Sequence, residues 1–500
     1  MKKMNLLAMS LVSAAALSFS SCSSNDDLGG GAGTQSQVKG FYMTLAVQTP
    51  TSNGTRTSIE NPIPTEDATA VEAAVKTGTF YLVDSKGTVV FSKTLTARDW
   101  SGAVKDQADS KKDGKTTLQI QVENVAAGAT YKVYFKAGST AMDGVTEPVA
   151  AGTTGIFTAT GIEKTFTAAA AFDKTCAGDN NFSMFNQNDE SRNGNGYTVT
   201  FEDGNKVATN PAKVKYNNAE SAIKIERVTA RVDVPTSTTK LATEELPSTA
   251  SQALKNAVAD AKKKVDNIEL VSYALSNVTN KTYVMQTWID KNLTIPDGVT
   301  LSQPKTAFGT KYLLDATCFK PYATATNDYI FENNKAGEEA TAMYFQYQVT
   351  LKTSEFEGKA DFDDGTFYRY NNVIYTSFEQ IYKAYADVAG LFGGKTAAQM
   401  KTAAITASAT EADLAAFREK YQIEVFKGGM TYYKQVITDN QLSKNVIQRN
   451  TIYRLNVNKI FNVGAQVPNG EIDKNGLFYL DVTVTVNPWV LNTQNVSLGD

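Results

Sequence analysis

The chain has 500 residues, 42% of them hydrophobic and 20% charged, with 23 Tyr and 24 Phe. That length exceeds what one ordinary core holds, so two domains are expected, and aromatic residues set among many Thr and Val favour sheet. A net charge of −3, with no unbroken basic run longer than Lys262 to Lys264, argues against nucleic acid as a partner, and the absence of His removes the commonest general base, the Ser-His and Cys-His nucleophile pairs and the commonest zinc ligand.

The chain opens with a signal peptide over 1–21: a basic start at Lys2 and Lys3, an apolar run from Leu6 to Phe19, then Ser20 and Ser21. The small residues directly before Cys22 resemble a bacterial lipobox, in which the cysteine is acylated with fatty acid such as palmitate and becomes the new N-terminus. "SSNDDLGGGAGTQSQ" then reads as a flexible tether. Asp26 and Asp27 resemble the acidic signal that sends lipoproteins of the Bacteroidales to the outer face of the outer membrane. The remaining cysteines, Cys176 and Cys318, read as buried thiols, with a disulfide between them left open.

In "KGFYMTLAVQTP" the residues Phe41, Met43, Leu45 and Val47 alternate with Tyr42, Thr44, Ala46 and Gln48, the pattern of a half-buried strand. "TSNGTRTSIENPIPTEDA", with a single Arg at 56, reads as an exposed loop. From Gly78 to Val234 strands recur as a β-sandwich: "TFYLV" and "TVVFSKTL" flank "DSKG" as a hairpin, "TTLQIQVENV" and "TYKVYFKAG" are expected to pair, and "YTVTF" and "AIKIERVTARVDV" follow. A polar then helical stretch between Pro235 and Val265 is the expected boundary, after which strands resume through "ATAMYFQYQVTLK", "GTFYRYNNVIY", "GMTYYKQVI" and "NTIYRLNVNKIF". Apolar spacing at Phe378, Ile381, Tyr382 and Tyr385, and at Leu414 and Phe417, predicts two inserted helices on one flank of the second sandwich.

Sites for chemistry are weak. Gly394-Lys395-Thr396 imitates a phosphate-binding loop but has Ala389 where Gly is required, and it follows a helix rather than a strand. Asp361, Asp363 and Asp364 beside Gly365 are calcium-type ligands in the wrong order for a calcium loop, and ordinary for a turn. No carboxylate pair or nucleophile elbow stands out, so no catalytic residue, metal or cofactor is assigned. Aromatic runs such as "TYYKQ" fit cross-strand pairs or sugar stacking.

Two strands do not suit a self-contained monomer. If a protease cuts between Arg56 and Thr57, the strand holding Phe41, Met43, Leu45 and Val47 is no longer covalently tied, and its loss opens a groove that another strand must fill. "VTVTVNPWVLNTQNVSL" supplies one: Val482, Val484 and Val486 share a face, Pro488 marks the expected end of pairing in its own sheet, and Trp489 and Leu491 project opposite to Val490, Val496 and Leu498. Trp489 is either an anchor in a neighbour or a cover for the subunit's own edge. Four or five pocket-filling side chains supply ~10 kcal/mol, and a head-to-tail exchange of this kind yields a filament.

The lipobox at Cys22, the Arg56 loop, "ERVTARVDV", "GMTYYKQVI", "QRNTIYRLNVNKIFNVG" and the closing segment together resemble the fimbrillins of type V pili, shaft subunits among them. The resemblance implies a mainly β fold of two transthyretin-like β-sandwich domains in tandem, with a helical insertion in the second. Its expected division is a lipidated tether and propeptide strand over 22–56, an N-terminal sandwich over 57–240 and a C-terminal sandwich over 241–500. It further implies lipidation at Cys22, a cut after Arg56 by an Arg-specific, gingipain-like protease, and a donor strand over Val486 to Leu498. The partners it implies are copies of the chain itself, accessory anchor and tip subunits, and the outer membrane before cleavage. The expected role is a non-enzymatic pilus shaft subunit at the cell surface, serving adhesion and biofilm formation; an anchor subunit that keeps its lipid, or a surface glycan-binding lipoprotein, is the alternative.

Overall fold

Asp84 starts the first hairpin through its own side chain: its Oδ1 accepts hydrogen bonds from the backbone N–H groups of Lys86 and Thr88, both at 2.8 Å. Gly87 completes the turn at φ +89°, where a Cβ would lie 2.5 Å from the carbonyl oxygen of Phe157. The turn joins antiparallel strands Gly78–Val83 and Val89–Leu95, as the alternation around "DSKG" predicts. The computed structural model describes residues 40–48, 66–68, 72, 75–101, 104–105, 115–168, 176–177, 182–188, 197–209, 211–215, 222–290, 292–302, 318–356, 361–388, 390, 393–396, 399, 405–406, 408–439, 444–466 and 480–491. The architecture is mainly β, with few helices.

A ten-stranded sheet runs in the order Val89–Leu95, Gly78–Val83, Thr130–Ala137, Met184–Asn186, Ile223–Arg227, Phe41–Gln48, Lys115–Val122, Val104–Lys105. Tyr197–Thr200 pairs beside Thr130–Ala137, and Ala212–Lys213 beside Phe41–Gln48. Phe80, Leu82 and Leu95 from one end of this path share a core with Ile120 and Val122 from the other, around the buried Trp100. The sheet therefore folds over on itself. Gly78–Val83 is buried at every position, because Phe80 and Leu82 enter this core while Tyr81 and Val83 enter a second cluster with Tyr134, Phe157 and Phe166. A strand covered on both faces reads as an unbroken apolar run.

One expected pairing is corrected. Lys115–Val122 and Thr130–Ala137 do not pair with each other: the first lies against Phe41–Gln48, the second against Gly78–Val83 and Tyr197–Thr200. Their apolar faces, Ile120 and Val122 with Val133 and Phe135, meet across the core instead. The longer connection does not impose a hairpin, and burying both faces against each other removes more apolar surface from water.

In the second half, the Thr451–Ile460 strand sits between Leu480–Leu491 and Ala230–Val232, in a six-stranded sheet. A four-stranded sheet of Lys320–Pro321, Val265–Ser276, Ala342–Leu351 and Met430–Val436 faces it. Tyr453, Leu455 and Val457 from the first layer meet Ile268, Phe345 and Tyr347 from the second in one core. "ERVTARVDV" is thus a crossing point, with Ile223–Arg227 in one sheet and Ala230–Val232 in the other. Helix Gln252–Lys264, capped by Ser251 Oγ accepting from the Leu254 N–H, buries Leu254, Ala257, Val258 and Ala261 on one side. It leads directly into strand Val265–Ser276.

The inserted helices Phe378–Ala384 and Glu411–Tyr421 form, each with a capping box at its start. They lie over a three-stranded sheet of Val373–Tyr375, Phe367–Tyr370 and Glu424–Phe426. Period-two alternation explains the arrangement: Phe367 and Phe426 enter the sandwich core, whereas Tyr368 and Val425 enter the helical cluster with Phe378 and Phe417. The small sheet, rather than the helices, closes the flank of the sandwich.

Candidate assembly site

The strand Phe41–Gln48 is central, not peripheral. Along its whole length it pairs antiparallel with Lys115–Val122, from Phe41 opposite Val122 to Gln48 opposite Lys115. On its other side it pairs in parallel with Ala212–Lys213 and with the start of Ile223–Arg227. Met43, Leu45 and Val47 are each 0% exposed, and Phe41 is half-buried, edge-on to Phe201 with ring centroids 5.7 Å apart. The alternation read from the sequence holds, except that Ala46 is buried as well. Gly40 enters the strand at φ +154°, and a Cβ there would meet Gln121 Nε2 at 2.8 Å. Truncating Leu45 to Ala in the full-length chain is expected to cost ~2–5 kcal/mol, read as a lowered denaturant midpoint; an unchanged midpoint contradicts this strand's place in the core.

At the other end of the chain, Leu480–Leu491 pairs antiparallel with Thr451–Ile460. Val482, Val484 and Val486 occupy the positions opposite Val457, Leu455 and Tyr453; Val457, Leu455 and Tyr453 are buried. This ladder ends with Pro488 opposite Thr451, but pairing within the same sheet does not stop at Pro488 as expected: the strand continues to Leu491. Beyond Pro488 the partner changes: Trp489, Val490 and Leu491 pair in parallel with Glu66, Asp67 and Ala68.

A buried polar network fastens this region, and sequence reasoning did not find it. Arg231 NH1 lies 3.1 Å from Glu72 Oε2 and its Nε lies 2.6 Å from Asp233 Oδ1. Arg454 NH2 reaches Asp233 Oδ2 at 2.6 Å, and the Tyr329 hydroxyl donates to Glu72 Oε1 at 2.8 Å. Arg227, 0% exposed, donates through Nε to the Glu72 carbonyl oxygen at 3.1 Å and through NH1 to Asn450 Oδ1 at 2.9 Å. Burial pulls its guanidinium pKa down to about 9, with Glu72 acting in the opposite direction. The local signal was Arg227 and Arg231 within the strand-like run "IKIERVTARVDV", and their partner Glu72 lies more than 150 positions away in the chain.

Arg449 is the second buried anchor. Its NH2 lies 2.8 Å from Glu332 Oε2, with side chains 0% and 1% exposed. It also donates to the Val284 carbonyl oxygen at 3.0 Å and to Thr282 Oγ1 at 3.1 Å. The start of Thr451–Ile460 is thereby tied to the segment that covers the first sheet.

Neither Cys176 nor Cys318 is disulfide-bonded; the first is buried and the second half-buried. Burial pushes the Cys176 thiol up to about 12, which leaves it unreactive. Asp361 Oδ2 accepts from the Phe378 N–H at 2.7 Å and Asp364 Oδ1 from the Thr366 N–H at 2.9 Å, so these two carboxylates serve local backbone. Among the described residues no cluster of three or more His, Cys, Asp or Glu could hold a metal ion. Cys22, Arg56, Thr57, Val496 and Leu498 lie outside the described residues.

Fold and strand order define a class first: a mainly β protein in which an N-terminal strand completes one core and a C-terminal strand borders another. The family signal lies at the C-terminal end. Residues 424–495 match the family described as "Major fimbrial subunit protein type IV, Fimbrillin, C-terminal", and the resemblance to type V fimbrillins is borne out by this match. The matched stretch holds Glu424–Phe426, Met430–Val436, Thr451–Ile460 and Leu480–Leu491. No curated protein matches the sequence. Among solved structures, a fimbrilin from Porphyromonas gingivalis W83 aligns at 12% identity over 90% of this chain and 98% of its own, with a TM-score of 0.41. A candidate cell adhesion protein from Parabacteroides distasonis ATCC 8503 aligns at 12% identity over 90% of this chain and 99% of its own, with a TM-score of 0.44. A fimbrial assembly protein from the same organism aligns at 11% identity over 63% of this chain and 82% of its own, with a TM-score of 0.30.

Proposed function

We propose that the protein is the shaft subunit of a surface pilus. It is exported as a lipoprotein acylated at Cys22, cut between Arg56 and Thr57, and polymerised when the C-terminal strand of one copy fills the slot left by Phe41–Gln48 of the next. The fimbrillin match over 424–495 supports a structural, non-enzymatic role in a cell-surface fimbrium. The observation that carries the mechanism is the position of the first strand. It pairs on both sides and buries Met43, Leu45 and Val47 completely. Removing it leaves Lys115–Val122 with one open edge, paired among the described strands with Val104–Lys105 alone, and divides the ten-stranded path. A strand edge and an apolar slot opened together call for a replacement strand.

The two main cores support a reading as tandem transthyretin-like sandwiches; in place of the expected division at 240 and 241, the chain passes from one to the other between Ile223–Arg227 and Ala230–Val232, because Ala230 and Val232 belong to the second core. The partners in this reading are further copies of the chain, accessory anchor and tip subunits, an Arg-specific protease, and the outer membrane through the lipid before the cut. The test is the N-terminus and intact mass of protein recovered from the cell surface. Filament subunits are expected to begin at Thr57 without lipid, and Arg56→Ala is expected to trap a full-length lipidated monomer. Normal filaments from Arg56→Ala would overturn the cut.

A further inference from the structure

We propose that Glu66–Ala68 is a clasp that holds the distal part of the C-terminal strand against its own subunit until the first strand is cut free. The proposal rests on the strand-exchange reading above. Pairing of Leu480–Leu491 with Thr451–Ile460 ends at Pro488. Among the described strands, only Glu66–Ala68 pairs with Trp489, Val490 and Leu491. These are residues of the expected donor, so this pairing must break before they can enter a neighbour.

The clasp is short and its two attachments differ. Three residues of parallel pairing are fewer than the five or so of a usual strand, so the contact depends on how closely the chain on either side confines it. Downstream, Glu72 is 2% exposed and held by Arg231, Tyr329 and Arg227. Upstream, the restraint is Phe41–Gln48 in its ladder with Lys115–Val122. Arg56 lies between the upstream restraint and the clasp. Cutting there removes one restraint and leaves Glu72 as the other, which lowers the effective concentration of Glu66–Ala68 at Trp489–Leu491. One cut thus prepares both partners of the exchange: it opens the slot and loosens the donor.

The test locks the clasp. Paired strands lie ~4.8 Å apart, within reach of a disulfide, and Asp67 stands opposite Val490. Asp67→Cys with Val490→Cys is built into full-length chain carrying Cys22→Ser and Cys318→Ser; Cys176 is buried. After an Arg-specific protease cuts the purified protein, oxidised subunits are expected to elongate at least tenfold more slowly than reduced ones, with recovery on adding reductant. Filament growth at the reduced rate, from subunits shown by mass to be crosslinked, overturns the clasp. Asp67→Pro, whose ring and fixed φ disfavour a paired strand, is expected to shorten the assembly lag of cut protein at least threefold, and an unchanged lag also overturns it. A synthetic peptide of residues 486–498 is expected to bind cut subunits whether locked or not, because the slot remains open in both. Failure of that peptide to bind either form overturns the strand-exchange reading instead.

Discussion

A chain ending at Val486 is expected to fold, to remain soluble and to form no filaments. Removing Asn487–Asp500 takes away the pairs of Asn487 with Ile452 and Pro488 with Thr451, together with the pairing to Glu66–Ala68. It leaves Leu480 to Val486 in register with Tyr453 to Ile460. The buried residues Tyr453, Leu455 and Val457 keep their ladder partners, so the second core is retained. Thermal unfolding of the truncated chain should therefore stay close to that of the full one, while electron microscopy of the cut protein should show monomers. The effect on assembly is all or nothing because the deleted residues are the proposed donor. Normal filaments from this truncation would sink the exchange mechanism and leave the fold untouched.

The largest loss of stability is expected at Arg449→Ala. Glu332 is as deeply buried as Arg449 and also accepts from Gln286 Nε2 at 2.7 Å. Truncating the arginine leaves that carboxylate in a low-dielectric site without its cation, a change that costs ~3–5 kcal/mol. Two carbonyl oxygens, of Tyr283 and Val284, lose their donors at the same time. A loss of that size is a large share of a domain's net stability of ~5–15 kcal/mol. Denaturant titration reads it as a lowered midpoint with unchanged slope. A double variant, Arg449→Met with Glu332→Leu, should recover part of the loss, because the orphaned charge is gone. A shift below ~0.5 kcal/mol in the single variant would place Arg449 outside the core.

The helix at Gln252–Lys264 and the hairpin at Asp84–Gly87 were legible because their causes are local. Apolar residues at helical spacing follow a Ser cap in one case, and an Asp side chain organises the turn in the other. The alternation over Phe41–Gln48 was equally legible, since one buried face imposes period two wherever the strand ends up. Its central position in the sheet was not, because alternation does not tell a central strand from an edge. That difference lies in two neighbours, Lys115–Val122 and Ile223–Arg227, which chain folding brings to either side.

What the sequence by itself determined is the mainly β composition, the absence of histidine chemistry and the apolar first strand. Each follows from the properties of residues adjacent in the chain. Only the tertiary structure decided the pairing partners of Lys115–Val122 and Thr130–Ala137, the parallel contact of Glu66–Ala68 with Trp489–Leu491, and the joining of Glu72 to Arg227, Arg231 and Tyr329. Backbone hydrogen bonding is the same for every residue but proline, so it carries no record of its partner. Partners are selected by which apolar faces can be buried together, and that choice exists only once the whole chain has folded.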